Sequence, residues 1–590
     1  MKQMNHRKPV GTQITRREWI AALGIALITA VLGLIPYWLG NLLAPEGQVY
    51  MQLIMNPEDA QTYWAKMLQG FNGAWLYTIP FTPEPHAAAG VGIFYVWLGQ
   101  LARGLGMSLT AVWHSSRFIA SLILFLTTFR FVAAFLPDKQ TRWTAYQLAL
   151  YGSGLGWLLF AVGQPYWLGA FPVDFKQPGA HLFFTALTFP HIALGTAVIL
   201  FDMLVLKKIG THKKVHAKAQ SRQDGQVKNL PKSAKSADFS LESVSSSRWR
   251  WAALAGLANL LLGVAYPFLI YIVAGTAVLS WSVLAWQQRR ILWQMGWQIA
   301  VMFLMPAPLY LYYLSVWRSN DVFRLWDAQA GTPAAPWPQY LVSFGVMLLL
   351  AGLFWWKKPS ERSRYLLLWL WILTAALLLY SPLLPQRRFI QGVHVPLAVL
   401  AAAGFVQIVL PRWQNGRLLQ ALIARPRYET AKLRRFVIVL FVLFMSFSNV
   451  YLWLDATRIA ALTQPDLFFR PAAEVQAAEW LRENAPGSAV VLGSYQTGNF
   501  VAARAGQRVM LGHWAETVDF AGKETAVNQF FSSHTNDAWR QELLQQFNVG
   551  YVWFGPREQA LGEFDPGTAD YLTQVYQNQE LTLFSIRSTN

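Results

Sequence analysis

Apolar blocks of roughly 20 residues, the length that crosses a bilayer core, alternate with short polar connections along most of this chain. The first block, Trp19 to Ala44, follows Lys2, Arg7, Lys8, Arg16 and Arg17. It is too long for a signal-peptide core and no small-residue cleavage site follows it, so it reads as a retained first helix with a cytoplasmic N-terminus. Further spans are predicted at Ser108–Leu136, Trp143–Val162, Pro190–Leu206, Trp249–Ala265, Phe268–Trp286 and Ile291–Leu314. Tyr340–Trp356, Tyr365–Ser381, Ile390–Leu410 and Phe436–Leu454 complete a set of eleven. Ala87–Leu105 is apolar but interrupted by Gly90, Gly92, Gly99 and Gly104, and reads as an interfacial helix on the outer face.

The pattern changes in two places. Residues 207–248 are rich in Lys, Ser, Gln and Ala, cannot bury a core, and are expected to form a disordered cytoplasmic loop. Residues 456–590 have a soluble character. A helix is predicted over Pro471–Asn484 and another over Asp537–Phe547, with strands at Ser488–Leu492, Val549–Phe554 and Leu581–Ile586. The expected fold class is therefore an α-helical polytopic membrane domain over 1–455, with about eleven transmembrane helices, and a small extracytoplasmic α/β domain over 456–590.

Composition agrees with this reading. Only 13% of the 590 residues are charged, about half the share in a soluble domain, which excludes a soluble enzyme and a disordered chain. Cysteine is absent, which removes disulfides, thiolate metal sites and a thiol nucleophile. The net charge of +19 first suggests nucleic acid, but the eleven-span topology redistributes it. The predicted cytoplasmic segments hold 31 of the 49 Lys and Arg residues and 7 of the 30 Asp and Glu residues. This is the positive-inside pattern. The basic excess is an orientation signal, and no nucleic-acid partner is expected. Localisation follows as a multi-pass plasma-membrane protein, with its N-terminus cytoplasmic and its C-terminus extracytoplasmic.

Candidate chemistry gathers in the outer loops. The first, within 45–107, carries Asn56-Pro57-Glu58-Asp59. Pro57 suits the first turn of a helix, Asn56 suits its cap, and both carboxylates then face the positive end of the helix dipole. Asp59 and Tyr63 share a face. A carboxylate beside a membrane can serve as a general base toward a hydroxyl; an ordinary N-terminal acidic turn is the plainer alternative. Arg387 and Arg388, at the outer end of the ninth span, oppose the positive-inside trend locally, and guanidinium forks suit phosphate. Snorkelling to lipid headgroups is their alternative. His86, Asp174 with Lys176 and His181, His191, and Asp321 with Arg324 and Asp327 are candidate cavity-wall residues. Asp174 is the first choice for a second carboxylate that binds sugar hydroxyls. In the tail, His513, Trp514 and Glu516 suit sugar binding by hydrogen bonds and stacking. A metal site built from Asp59, His86, Asp174 and His191 has no supporting ligand spacing, so no metal or other cofactor is assigned.

The acidic start of this first loop ahead of a Tyr helix, the Gly- and Pro-rich turns, the amphipathic helix and the Arg-bearing span resemble the GT-C membrane glycosyltransferases. The branch that the chain most resembles is the protein O-mannosyltransferase and aminoarabinose transferase type. That family has an Asp-Glu-Ala-x-Tyr stretch after its first span, and Asp59-Ala60-Gln61-Thr62-Tyr63 keeps the Asp and the Tyr at the same separation. Here the second acid precedes the Asp, as Glu58. Arg117 falls where the family often has an Arg, whereas Pro83-Glu84-Pro85-His86 lacks the family's Lys. The resemblance covers roughly residues 15–410 in architecture. It implies transfer of a sugar from a polyprenyl-phosphate-linked donor to a glycan, lipid or protein acceptor at the outer face. Asp59 is then the base, with Glu58 beside it, and inversion at the anomeric carbon is expected. The alternatives are a transporter or flippase of a lipid-linked substrate and a non-catalytic assembly scaffold.

Overall fold

Thr15 and Glu18 form a reciprocal capping box that starts α1 (Arg16–Leu32). Glu18 also receives Arg142 at 2.7 Å, and both side chains are buried. This ion pair ties the start of α1 to the first turn of a later helix. The computed structural model describes residues 14–210, 234–355, 359–416 and 429–587. The apolar runs form helices that bury one another in a shared core, with α5 (Leu109–Phe135) near its centre. Five described helical stretches are long and apolar enough to cross a membrane, or up to seven if each of two bent pairs is one span.

Several runs expected as single helices are interrupted, each for a local reason. The first breaks after α1 at Gly33 and resumes as α2 (Ile35–Leu42). Arg117 fills that break. Its guanidinium donates to the carbonyls of Gly33 at 3.4 Å and Leu187 at 2.8 Å, and lies 3.8 Å over the Tyr37 ring. A charge inside a span costs roughly 2.5–3.5 kcal/mol on insertion scales, and Arg117 offsets this by satisfying backbone carbonyls rather than by meeting a substrate. The run 143–162 leaves helical geometry at Gly152 and re-forms only as Gly156–Ala161. The backbone at Gly154 passes so close to Ser343 that a Cβ there would lie 2.3 Å from its backbone. The pairs Trp293–Leu304 with Ala307–Ser319, and Thr430–Met445 with Phe447–Thr463, bend by 48° and 53°.

The loop expected to be disordered falls partly outside the described residues, at 211–233. Residues 207–210 continue the Pro190–Gly210 helix. From Ala234 the chain is already helical, continuous with the apolar span to Ala265. Once the span nucleates the helix, Ala, Lys, Leu and Glu extend it at little cost.

The first loop builds a platform at one end of the bundle. It contains β1 (Gln48–Tyr50), α3 (Pro57–Phe71) and α4 (Phe94–Leu105). The 12 residues of α4 rise about 18 Å, short of a bilayer core. The two helices touch backbone to backbone at two glycines. A Cβ on Gly70 would stand 1.9 Å from the Val96 carbonyl oxygen, and one on Gly99 2.0 Å from that of Met67. Gly99→Val is expected to force α3 and α4 apart and destabilise the fold by about 1–3 kcal/mol, measured as a lowered Tm in detergent.

The C-terminal region folds around a five-stranded sheet ordered β4-β3-β5-β7-β6. Its strands are β3 (Val490–Leu492), β4 (Arg508–Val509), β5 (Val549–Phe554), β6 (Leu572–Gln577) and β7 (Thr582–Ile586). β3, β4 and β5 run parallel, and β7 is antiparallel to both β5 and β6. This region is stitched to the first loop. The short strand β2 (Phe469–Pro471) pairs antiparallel with β1, and Val509 N–H donates to Pro80 O at 2.9 Å. The Thr517 hydroxyl donates to Phe81 O at 2.8 Å, and Lys523 pairs with Glu84 at 2.5 Å. One apolar cluster runs through both, from Trp64 and Phe81 to Phe500 and Trp553.

Candidate active site

A cavity of about 500 Å³ lies between the first-loop helices, the bundle end and the tail domain. Helix α3 supplies its floor. Asp59, Tyr63 and Lys66 are four and three residues apart, so they share one face, and all three line the cavity. Asn56 does not cap α3 with its side chain. It takes the left-handed conformation at φ 46°, which Asn tolerates better than most residues, and the turn it makes brings the first helical turn to the cavity.

Asp59 is half-exposed to the cavity, with protein on the other sides, and His513 Nε2 lies 3.6 Å from its Oδ1. Burial pushes the carboxyl up, but the nearby His513 imidazole and the charge of Arg388 pull it down further. The balance holds Asp59 below the ordinary carboxylate range, so it is ionised at neutral pH. Burial, reinforced by Asp59, raises the Tyr63 phenol well above its usual value and keeps it protonated. Glu58 lies at the rim, near Tyr495, whose phenol is raised by burial and by the Glu58 charge.

Tyr63 stacks on Tyr95 at 4.3 Å, and the Tyr95 hydroxyl lies 2.7 Å from His191 Nδ1. Together these rings form an aromatic wall. Arg387 and Arg388, on the short 3₁₀ turn Gln386–Ile390, line the same cavity. That turn is pinned on both sides. Arg387 N–H donates to Thr332 O at 2.9 Å, and Gln391 Nε2 donates to Ile192 O at 3.1 Å. Gly392, at φ 74°, turns the chain back so that its N–H reaches Gly179 O. Arg388 lies 5.2 Å over Phe268 and 5.8 Å over Tyr266. Among the described residues neither guanidinium is in an ion pair. Their donors are therefore left for an anion in the cavity. Lys176 lines the same space. Lys66 differs, because Glu516 takes it at 3.1 Å, and Tyr77 donates to the other oxygen of that carboxylate. Asp327 also lines the cavity, and burial raises its carboxyl against the pull of Arg388.

Five expected wall residues, Asp174 with His181, His86, and Asp321 with Arg324, lie elsewhere. Asp174 is buried away from the cavity. It accepts from Gly156 N–H at 3.0 Å and from the hydroxyls of Ser448 and Ser343. Gly156 belongs to the broken 143–162 run and Ser343 and Ser448 lie against it, so the carboxylate satisfies an N–H that the break releases, with His181 3.7 Å away. Asp174→Ala is expected to be destabilising by at least about 1–3 kcal/mol, the cost of a buried donor left without its acceptor. It should appear as a lower Tm and less folded protein, with kcat of the surviving fraction near wild type. His86 spends both ring nitrogens on its own loop, accepting from Ile79 N–H at 2.9 Å and bonding Glu84 O at 2.8 Å. Asp321 is on the surface, paired with Arg324 at 2.8 Å. Asp327, six residues on and so on the other side of the same helix, takes the cavity position. With Asp174 and His86 both outside the cavity, the four residues of the conceivable metal set are not brought together.

Beside the cavity, sharing Val264 with it, is an almost wholly apolar groove of about 420 Å³ lined by Ile93, Trp97, Leu260 and Leu309. The sequence alone suggests no role for Lys66, Tyr95, Tyr266 or Trp326. Of these, Lys66 does carry a readable signal, its place two turns after Asp59 on one helical face.

No protein-family model matches this sequence, and no curated protein matches it. Solved structures do. ArnT from Cupriavidus metallidurans, bound to undecaprenyl phosphate, aligns over 98% of this chain and 99% of its own, with a TM-score of 0.51 and 11% identity. The apo oligosaccharyltransferase of Archaeoglobus fulgidus aligns over 96% of this chain and 74% of its own, with a TM-score of 0.52 and 14% identity. Another structure from that organism, AglB with an inhibitory peptide and a dolichol-phosphate, covers 91% and 70% at a TM-score of 0.50 and 13% identity. At these identities the similarity is one of fold, and with the apolar helices it establishes a multi-pass membrane protein with the GT-C fold.

Proposed function

We propose that this protein transfers a sugar from a polyprenyl-phosphate-linked donor to an acceptor hydroxyl or amine at the extracytoplasmic face. The observation that carries this is the presence, in the lining of one cavity, of an ionised carboxylate on α3 and two guanidiniums without an ion-pair partner among the described residues. The donor's phosphate meets Arg387 and Arg388, and its polyprenyl chain enters the apolar groove beside Val264. Asp59 takes the proton of the acceptor as its oxygen or nitrogen attacks the anomeric carbon. The bond from that carbon to the phosphate oxygen breaks, and both electrons leave with the polyprenyl phosphate. The fold neighbours support the choice of donor, since one holds undecaprenyl phosphate and another a dolichol-phosphate. The charge distribution supports an outer location for the cavity.

The test is a proteoliposome assay with a radiolabelled sugar on undecaprenyl phosphate and a cell-envelope fraction as acceptor source. Label moving to acceptor with inverted anomeric configuration supports the proposal. Label that changes leaflet with its sugar–phosphate bond intact supports a transporter instead.

A further inference from the structure

The loop after β4 carries one imidazole whose two nitrogens are in different situations. Ala515 N–H donates to His513 Nδ1 at 3.3 Å. A neutral imidazole that accepts at Nδ1 carries its proton on Nε2. Nε2 is buried, has no formed hydrogen bond, and lies 3.6 Å from Asp59 Oδ1. The ring is held on two sides, 6.1 Å from Phe81 edge-on and 5.8 Å from Trp514 in a stack. The loop itself is a closed turn. Glu516 and Thr517 N–H groups both donate to His513 O at 2.9 Å, and the Thr517 hydroxyl donates to Phe81 O. Through Glu516 it also grips Lys66. The tail domain therefore holds α3 at two points of one face, Asp59 and, two turns later, Lys66.

We propose that His513 is a positioning residue for Asp59. Its Nε2–H engages Oδ1 and leaves Oδ2 as the oxygen presented to the acceptor. This rests on the reading of Asp59 as base. The separation exceeds a formed N–H···O bond by about 0.5 Å, and catalytic hydrogen bonds commonly tighten when substrate closes the site. An unconstrained carboxylate rotates about its χ2 and offers either oxygen. One held by a buried donor presents a single lone-pair direction, which is the orientation a base needs. The C-terminal domain thereby completes the reaction centre rather than merely covering it.

Two substitutions separate positioning from packing. His513→Phe keeps a ring between Phe81 and Trp514 but has no donor. His513→Gln places an amide N–H near the Nε2 position. In proteoliposomes with labelled sugar on undecaprenyl phosphate, His513→Phe is expected to lower kcat by about 10- to 100-fold, as loss of an orienting partner does, with KM for the donor unchanged. His513→Gln is expected to recover most of that loss. Equal activity of wild type and His513→Phe, or no rescue by Gln, overturns the proposal. A second measurement needs no turnover. In ¹⁵N-histidine spectra of the full chain in nanodiscs, the His513 signal, identified by its loss in His513→Gln, should show a protonated Nε2 that shifts in Asp59→Asn. A proton on Nδ1, or a signal indifferent to Asp59→Asn, also overturns it. If Asp59→Asn itself retains full activity, the base reading fails. If Asp59→Asn is inactive and His513→Phe is fully active, only the positioning role fails.

Discussion

Asp59→Asn is expected to lower sugar transfer by about 10²- to 10⁴-fold, the range lost with a general base. The substitution keeps the size of the side chain and its place on α3, so the fold should survive. It removes the carboxylate that shares the cavity with the guanidinium pair. The loss should fall on kcat, because proton transfer is realised only as the new bond forms. The pH profile carries the same information. The carboxyl of Asp59 lies below the ordinary range, so the base is ionised from neutrality down to about pH 4. Its activity is lost only as pH falls through that depressed value. Stability follows the same sign, because a depressed carboxyl pKa stabilises the folded state above the unfolded value and the contribution disappears in acid. An acid limb beginning above about pH 5 must come from another group. Steady-state rates of wild type and Asp59→Asn from about pH 4, the ordinary carboxylate value, to about pH 8 check both points, since no acid limb from Asp59 is expected within that range.

Arg388→Ala is expected to cost about 10²- to 10³-fold in kcat, the loss found when one preorganised donor to a developing anion is removed. In the proposed reaction the phosphate gains negative charge as the bond to the anomeric carbon breaks, so Arg388 is expected to hold the transition state more tightly than the bound donor. It sits on a turn fixed by Thr332, Ile192 and Gly179, and it packs over Tyr266 and Phe268. The guanidinium is thus already in position, and little reorganisation is left for the reaction step. Arg388→Lys should recover only part of the loss, since an ammonium gives a point charge where the fork gives two directed donors. KM for the donor should rise less than kcat falls. A change confined to KM would make Arg388 a binding group alone.

Several of these residues are legible in the sequence itself. Asp59 and Tyr63 follow from helical spacing behind Asn56-Pro57, and the Arg pair follows from its violation of charge asymmetry. The tail's β5, Val549–Phe554, has the predicted bounds. Other features depend on tertiary contacts that one sequence does not encode locally. Asp174 looks like any acidic loop residue until the break at Gly152 shows which donors it must satisfy. Asp321 and Asp327 lie on the same short helix, and only packing decides which side meets the cavity. His86 has polar neighbours in sequence, yet the loop consumes both its nitrogens. His513 and Asp59 are more than 450 residues apart, and nothing short of the pairing of the tail domain with the first loop reveals that they meet. The broken spans are hidden for a related reason. Apolar runs announce burial in lipid or protein, whereas a kink such as Gly33 depends on which distant group, here Arg117, takes up the freed carbonyl.

A lipid-linked phosphate held in this cavity would be visible by cryo-EM of the full chain in nanodiscs with undecaprenyl phosphate added. Wild type is imaged beside the Arg387→Ala, Arg388→Ala double variant. Phosphate density is expected against both guanidiniums in the wild type, with the chain running into the groove past Val264 and Trp97, and it should be lost in the variant. Lipid phosphate bound elsewhere, or bound equally in the variant, would show that the arginine pair is not the phosphate site.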